Sequence, residues 1–302
     1  MIKEYFNPDH LVTIAERPFT AAVKKSFSLG AESGVKWTIC IDADVLLEKE
    51  GILSLLEFAE DTDEHIFCIQ GQVYDKLIPI KRAAGNHIYR NLLMLKALEV
   101  IPADVTLKRP ESETTRAMKA LGYFTYQTNI LVGIHDFEQF HSDIFRKCFI
   151  HVNKHEKALV PLIIDHWYAN RAEDNDFESA WLGGLAGKSH EGDLIIDQNF
   201  QREAAQKLLS FKAIQEKKAI DISVFESRQV EMIIRSFEID SAMLKLKNPR
   251  VEQIYLKDFP SIKKVNSRER IVNFMKRVFG KILIVLGRKM INLQLRLTNP
   301  NE

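Results

Sequence analysis

The architecture expected of this chain follows from one stretch, KWTICIDADVLL at residues 36–47. Trp37, Ile39 and Ile41 alternate with Thr38 and Cys40, and the β-branched and aromatic content predicts a strand packed on both faces. Asp42 and Asp44 follow, separated only by Ala43, where such a strand leaves the core. Aspartate is common in turns and at strand ends. Two carboxylates so spaced can also both approach one hard divalent cation, which takes oxygen ligands. On this stretch alone both accounts stay open.

Before it, LVTIAER at residues 11–17 has the composition of a short strand, and TAAVKKSFSLGAESG predicts a helix closed by glycine. After residue 47, GILSLLEFAED carries Ile52, Leu55, Leu56 and Ala59 at the spacing of an amphipathic helix. HIFCIQGQVYD is expected to be a third strand. Strand and helix in alternation predict an α/β fold with a mostly parallel, Rossmann-like sheet flanked by helices. YRNLLMLKALEV and SETTRAMKALG predict further helices, and YFTYQTNILVG another strand. Beyond residue 140 the period is helical, and the composition shifts near residue 215. The expected division is a domain at 1–215 and a helical C-terminal region at 216–302.

The chain has 302 residues, enough for one large domain or two smaller ones. Lys and Arg total 42 against 41 Asp and Glu, so the molecule as a whole is not a generic polyanion binder. Cys40, Cys68 and Cys148 are scattered, and two sit in apolar strand-like runs, which points to reduced core thiols. The N-terminus lacks a signal-peptide apolar run, and no stretch is long enough to span a bilayer. A cytoplasmic protein is expected.

The segment KKSFSLGAESGVKWTICIDADVLL resembles the core of GT-A-fold glycosyltransferases, in which a helix rich in small residues leads into a strand ending in an Asp-x-Asp motif. The likeness covers residues 11–80, and more loosely 85–190, as a compact or N-terminally shortened version. It implies a nucleotide-diphosphate sugar donor and a Mn²⁺ or Mg²⁺ cofactor. Carried over, Asp42 would face the metal and the ribose, and Asp44 would ligate the metal. TIAERPF would match the first strand, which makes Glu16 and Arg17 donor-binding candidates.

GIHDFEQ at residues 133–139 places His135, Asp136, Glu138 and Gln139 where another strand leaves the core. The resemblance implies His135 as a further metal ligand, and Asp136 or Glu138 as the base that takes the acceptor proton. The acidic pair would also suit a helix N-terminus. AGNHIYR predicts a glycine turn entering a helix, with His87 and Arg90 as walls of the donor or acceptor pocket. Arg90 and Arg109 could each hold a phosphate bidentately, or be solvated. His151 and His155 stand four apart, with His141 upstream, but no HExxH glutamate or nearby cysteine completes a zinc site. Asp174 and Asp176 suit helix capping.

Between residues 263 and 297 basic residues are interleaved with aliphatics, and Glu269 is the only acid. Such a segment suits an anionic membrane surface, or a helix docked on the domain. Its sparse aromatics do not suit nucleic acid. Together these features predict a metal-dependent glycosyltransferase acting on a glycan or lipid-linked saccharide hydroxyl. The alternatives are a metal-dependent nucleotide-sugar hydrolase and a non-catalytic binding protein.

Overall fold

A computed structural model describes residues 6–78, 81–103, 110–154, 159–191, 199–219, 229 and 231–237. Helix α1 (Phe19–Glu32) leads into β1 (Trp37–Ile41), and a turn at Asp42–Asp44 separates it from the short β2 (Val45–Leu47). Helix α2 (Lys49–Glu60) and β3 (Ile66–Asp75) follow, then β4 (Lys81–Arg82) and β5 (Asn86–Arg90). Helices α3 (Met94–Glu99) and α4 (Pro110–Ala120) precede the long β6 (Phe124–His135). After it come α5 (His141–Lys154), α6 (Leu159–Asn170), α7 (Asn175–Lys188) and α8 (Asn199–Phe211).

The expected α/β class is present, but the sheet is mixed. Its order is β1-β5-β3-β6-β2, with β4 paired to β3. Among the described residues only β3 and β6 run parallel; the other ladders are antiparallel. The physical reason lies in the connections. The short β3–β4–β5 links return the chain directly and give antiparallel neighbours, whereas α3 and α4 lie between β5 and β6 and let β6 run alongside β3.

Several sequence expectations change with this topology. The stretch at 36–47 is not one strand: β1 and β2 lie at opposite edges of the sheet, and of β1 only Trp37 is buried. The buried centre is β3, whose Phe67, Cys68, Ile69 and Val73 have no exposed surface. LVTIAER forms no strand either; it finds no ladder partner among the described residues, and Val12 is 58% exposed. The AGNHIYR segment keeps its glycine turn (Gly85, φ 63°) but enters strand β5 rather than a helix.

Both faces of the sheet are covered. Ile52, Leu55 and Ala59 of α2 pack on Ile69, Val73, Ile88 and Val132. On the other face, Val23 and Phe27 of α1, Met94 and Ala97 of α3 and Met118 of α4 enclose Phe67, Cys68 and Tyr89. All three cysteines are free thiols; Cys68 and Cys148 are buried as expected of core residues, while Cys40 on the edge strand β1 is only half-buried. Asp174 caps α7, accepting from the Asp176 amide at 2.8 Å, also as expected.

The helical half attaches where β3 ends. Leu77 and Ile78 run into a core of Ile144, Cys148, Ile163, Trp167 and Ala180, and Trp167 Nε1 donates to the Leu77 carbonyl at 2.6 Å. Residues 231–237 are helical and lay Ile234 on Leu46, Tyr74 and Ile134. Of the expected C-terminal region, residues 220–228, 230 and 238–302, including the basic segment 263–297, lie outside the described residues. Among the described residues no helix is long and apolar enough to cross a membrane.

Glycines in α7 set the distance to α5. A Cβ at Gly183 would overlap the Phe145 carbonyl, and one at Gly187 the Phe149 carbonyl. Helix propensity alone would make Gly183→Ala stabilising by about 1 kcal/mol. Overlap with backbone should reverse the sign, to a loss of about 2 kcal/mol. Urea unfolding of the variant measures it, and a stabilised variant would contradict the packing.

Candidate metal centre

The parallel β3·β6 ladder ends by pairing Asp75 with His135, and antiparallel β2 sets Val45 opposite the same histidine. Carboxylates and imidazole therefore meet at the end of the sheet because of strand register. The turn between β1 and β2 is pinned by Asp42 N–H donating to the Gly85 carbonyl at 2.9 Å. A Cβ at Gly85 would lie 2.6 Å from the His135 ring, so glycine is needed for that close approach.

His135 is buried, and its two ring nitrogens face different carboxylates. Nε2 lies 3.9 Å from Asp42 Oδ2 and 3.7 Å from Asp44 Oδ1. Nδ1 lies 3.1 Å from Asp75 Oδ2 and 3.2 Å from Asp136 Oδ2. One oxygen each from Asp42 and Asp44 and one His135 nitrogen lie within 4.8 Å of one another. With its hydrogen on Nδ1, donated to Asp75, His135 turns the Nε2 lone pair toward Asp42 and Asp44. A carboxylate behind an imidazole is the usual way a ligating histidine is oriented.

Asp75 is firmly held and has no exposed surface. Its Oδ1 accepts from the Leu77 and Ile78 amides at 3.0 and 2.9 Å, and its Oδ2 from Arg82 Nε at 3.1 Å and from Arg82 Nη2. Burial opposes its charge, but Arg82 and then His135 outweigh that and hold the carboxyl well below the ordinary range. Burial likewise opposes a charged His135, and the Asp42 and Asp75 carboxylates overcome it, raising the imidazole pKa. For Asp44 burial is again outweighed, here by Lys147 and His135, and the pKa is lowered.

Lys147 of α5 reaches over this group. Its Nζ donates to Asp44 Oδ2 at 2.9 Å and to Asp136 Oδ1, and Gln139 Nε2 donates to the same two oxygens at 2.8 and 2.6 Å. Asp136 adopts a left-handed backbone (φ 59°), which aspartate tolerates better than most residues. Asp44 Oδ1 and Asp136 Oδ2 are buried and accept no hydrogen bond from the described residues. The orphaned Asp44 oxygen beside the Nε2 lone pair, with Asp42 next to it, fits a divalent cation.

Glu138 stands elsewhere. It pairs with Lys217 at 2.7 Å in a second polar cluster around the buried Asp176, which Lys76, Lys217 and His141 also contact. The remaining expected donor residues are not gathered at the metal cluster. Arg90 spends its guanidinium on the carbonyls of Ile66, Thr62 and Asp63 and lies 4.2 Å over the Trp37 ring. That makes it a loop anchor rather than a pocket wall. His87 bonds Gln70 at 2.7 Å and stacks on Tyr89. Glu16 is exposed and accepts from the Ala15 amide, and Arg17 lines a cleft with residues of α5 and α8. Arg109 and His155 lie outside the described residues. His141 is turned to Asp176, so it gathers no zinc set among the described residues.

Asp75, Arg82 and Lys147 belong to the site without having been singled out by sequence. Asp75 had a signal, since it too ends a strand; Lys147 had none, because only the docking of α5 brings it here. Comparison with family models and with curated proteins returns no match.

Asp75→Asn leaves the half-buried Arg82 uncompensated and should cost about 3 kcal/mol in urea unfolding at neutral pH. Because the folded Asp75 pKa is depressed, its contribution is present above the ordinary value of 3.8 and is lost as pH falls through the folded value. The variant's stability should therefore fall less steeply on acidification, and an equal slope would contradict the assignment. Lys147→Met leaves Asp44 and Asp136 without their shared cation. Its Tm in chelator should drop below wild type while its rise on adding Mn²⁺ grows larger; an unchanged Mn²⁺ response would contradict this.

Proposed function

We propose that the protein is a metal-dependent glycosyltransferase of GT-A-like architecture, moving a sugar from a nucleotide-diphosphate donor to a hydroxyl. The observation that carries it is the orphaned Asp44 oxygen beside Asp42 and the His135 ring at the end of the sheet. The resemblance of the segment leading into Asp42-Ala43-Asp44 to that family supplies the substrate class. A glycan or lipid-linked saccharide is the proposed acceptor, and residues 263–297 are the proposed contact with an anionic membrane on the cytoplasmic side. Nucleic acid is not a proposed partner.

In this reading Asp42, Asp44 and His135 hold Mn²⁺ or Mg²⁺, which when bound neutralises charge on the departing diphosphate. Asp75 keeps the His135 hydrogen on Nδ1 and so keeps Nε2 available. Lys147 contributes a second positive charge where the diphosphate leaves, and Gln139 steadies the Asp44 and Asp136 carboxylates against it. Of the two proposed bases, Asp136 is the one this reading takes. Lys147 and Gln139 occupy its Oδ1, as Lys217 occupies Glu138, but its Oδ2 accepts no hydrogen bond from the described residues. A group that must take a proton needs a free lone pair.

Thermal unfolding with a panel of nucleoside diphosphates, with and without Mn²⁺, tests the reading on wild type and Asp44→Asn. A ligand bound only by the native state raises Tm. One nucleotide should raise it only with Mn²⁺, and the variant should lose the effect. No shift with any nucleotide would sink the transferase reading.

A further inference from the structure

A cleft of about 300 Å³ is lined by Arg17, Arg146 and Arg202, with Ser142, Asp143 and Gln206. That size falls at the lower end of small-molecule sites, about 300–1,000 Å³. We propose that this cleft binds a phosphate monoester on a small polar molecule, at a site separate from the metal centre. Arg146 contacts Asp143 at 3.3 Å, and neither Arg17 nor Arg202 pairs with a carboxylate among the described residues. Beside the Arg146–Asp143 pair the lining thus carries the two guanidiniums of Arg17 and Arg202, a surplus that matches a phosphate dianion better than a single carboxylate. Like charges gathered in one concavity repel, and a bound anion removes that cost. Guanidinium forks also match phosphate oxygens in pairs, while Ser142 and Gln206 offer neutral hydrogen bonds for the remainder of the ligand.

The cleft's place on α5 keeps it apart from the cation. Arg146 and Lys147 are consecutive, so they project about 100° apart around the helix. One faces the cleft and the other donates to Asp44 and Asp136. The cleft therefore borders the metal centre across a single helix without sharing its side chains.

Isothermal titration of the full chain in chelator, so that the metal reading plays no part, tests the proposal. The probes are inorganic phosphate, glucose 6-phosphate, glucose and glucuronate, against wild type, Arg17→Gln/Arg202→Gln and Asp44→Asn. Glucose 6-phosphate should bind saturably and glucose should not, with glucuronate far weaker. The arginine variant should bind glucose 6-phosphate about tenfold or more weakly, with Tm unchanged because both side chains are exposed. Asp44→Asn should bind it as wild type does. The proposal is overturned by equal binding in wild type and the arginine variant, or by no saturable phosphate binding. It is also overturned by glucuronate binding as tightly as the sugar phosphate, or by loss of binding in Asp44→Asn.

Discussion

The pairing of β3 with β6 holds the sheet and its polar end together. It is the one parallel ladder among the described strands, and it ends with Asp75 opposite His135. Register shifts along the ladder, between Ile66 and Cys68 and again around Gln72, settle which residues meet at its end. A slip of one position would turn His135 to the other face of the sheet and separate it from Asp75. The polar groups there are placed by chain continuing from these two strands. Lys76 follows Asp75, and Asp136, Glu138 and Gln139 follow His135. Two clusters result, one around His135 and one around Asp176.

The helical half is part of the site's support. Gly183 and Gly187 allow α7 to lie against the backbone of α5, and α5 carries Lys147 to the metal cluster and Arg146 to the cleft. The second polar cluster ties the same parts together. Asp176 near the start of α7 is gripped by Lys76 from the end of β3 and by Lys217, and Glu216 accepts from the His141 amide at the start of α5. A fully buried carboxylate needs such partners, since leaving it charged and unpaired would be prohibitive.

Much of the site was legible because strand ends are visible in sequence. Asp42, Asp44, His135 and Asp136 all follow apolar β-branched runs, and the structure brings all four together. Strand direction was not legible, because parallel and antiparallel neighbours are chosen by distant segments, not by local composition. The misreading of β5 as a helix has the same root. Its residues are buried on both faces, apart from the half-buried His87, so they show no alternation to mark a strand. Arg90 looked like a phosphate ligand for want of the carbonyls at 62–66 that occupy it. LVTIAER shows the converse: strand-like composition finds no ladder among the described residues and forms no strand.

Whether the His135 cluster holds a divalent cation is read by electron paramagnetic resonance of Mn²⁺. Free Mn²⁺ gives a sharp spectrum that protein binding broadens. Titrating the full chain should remove one equivalent of free signal per chain in wild type and leave it intact in His135→Ala. Wild type that leaves the free signal as it is in buffer would contradict a metal centre at this cluster, and so would equal binding by the variant.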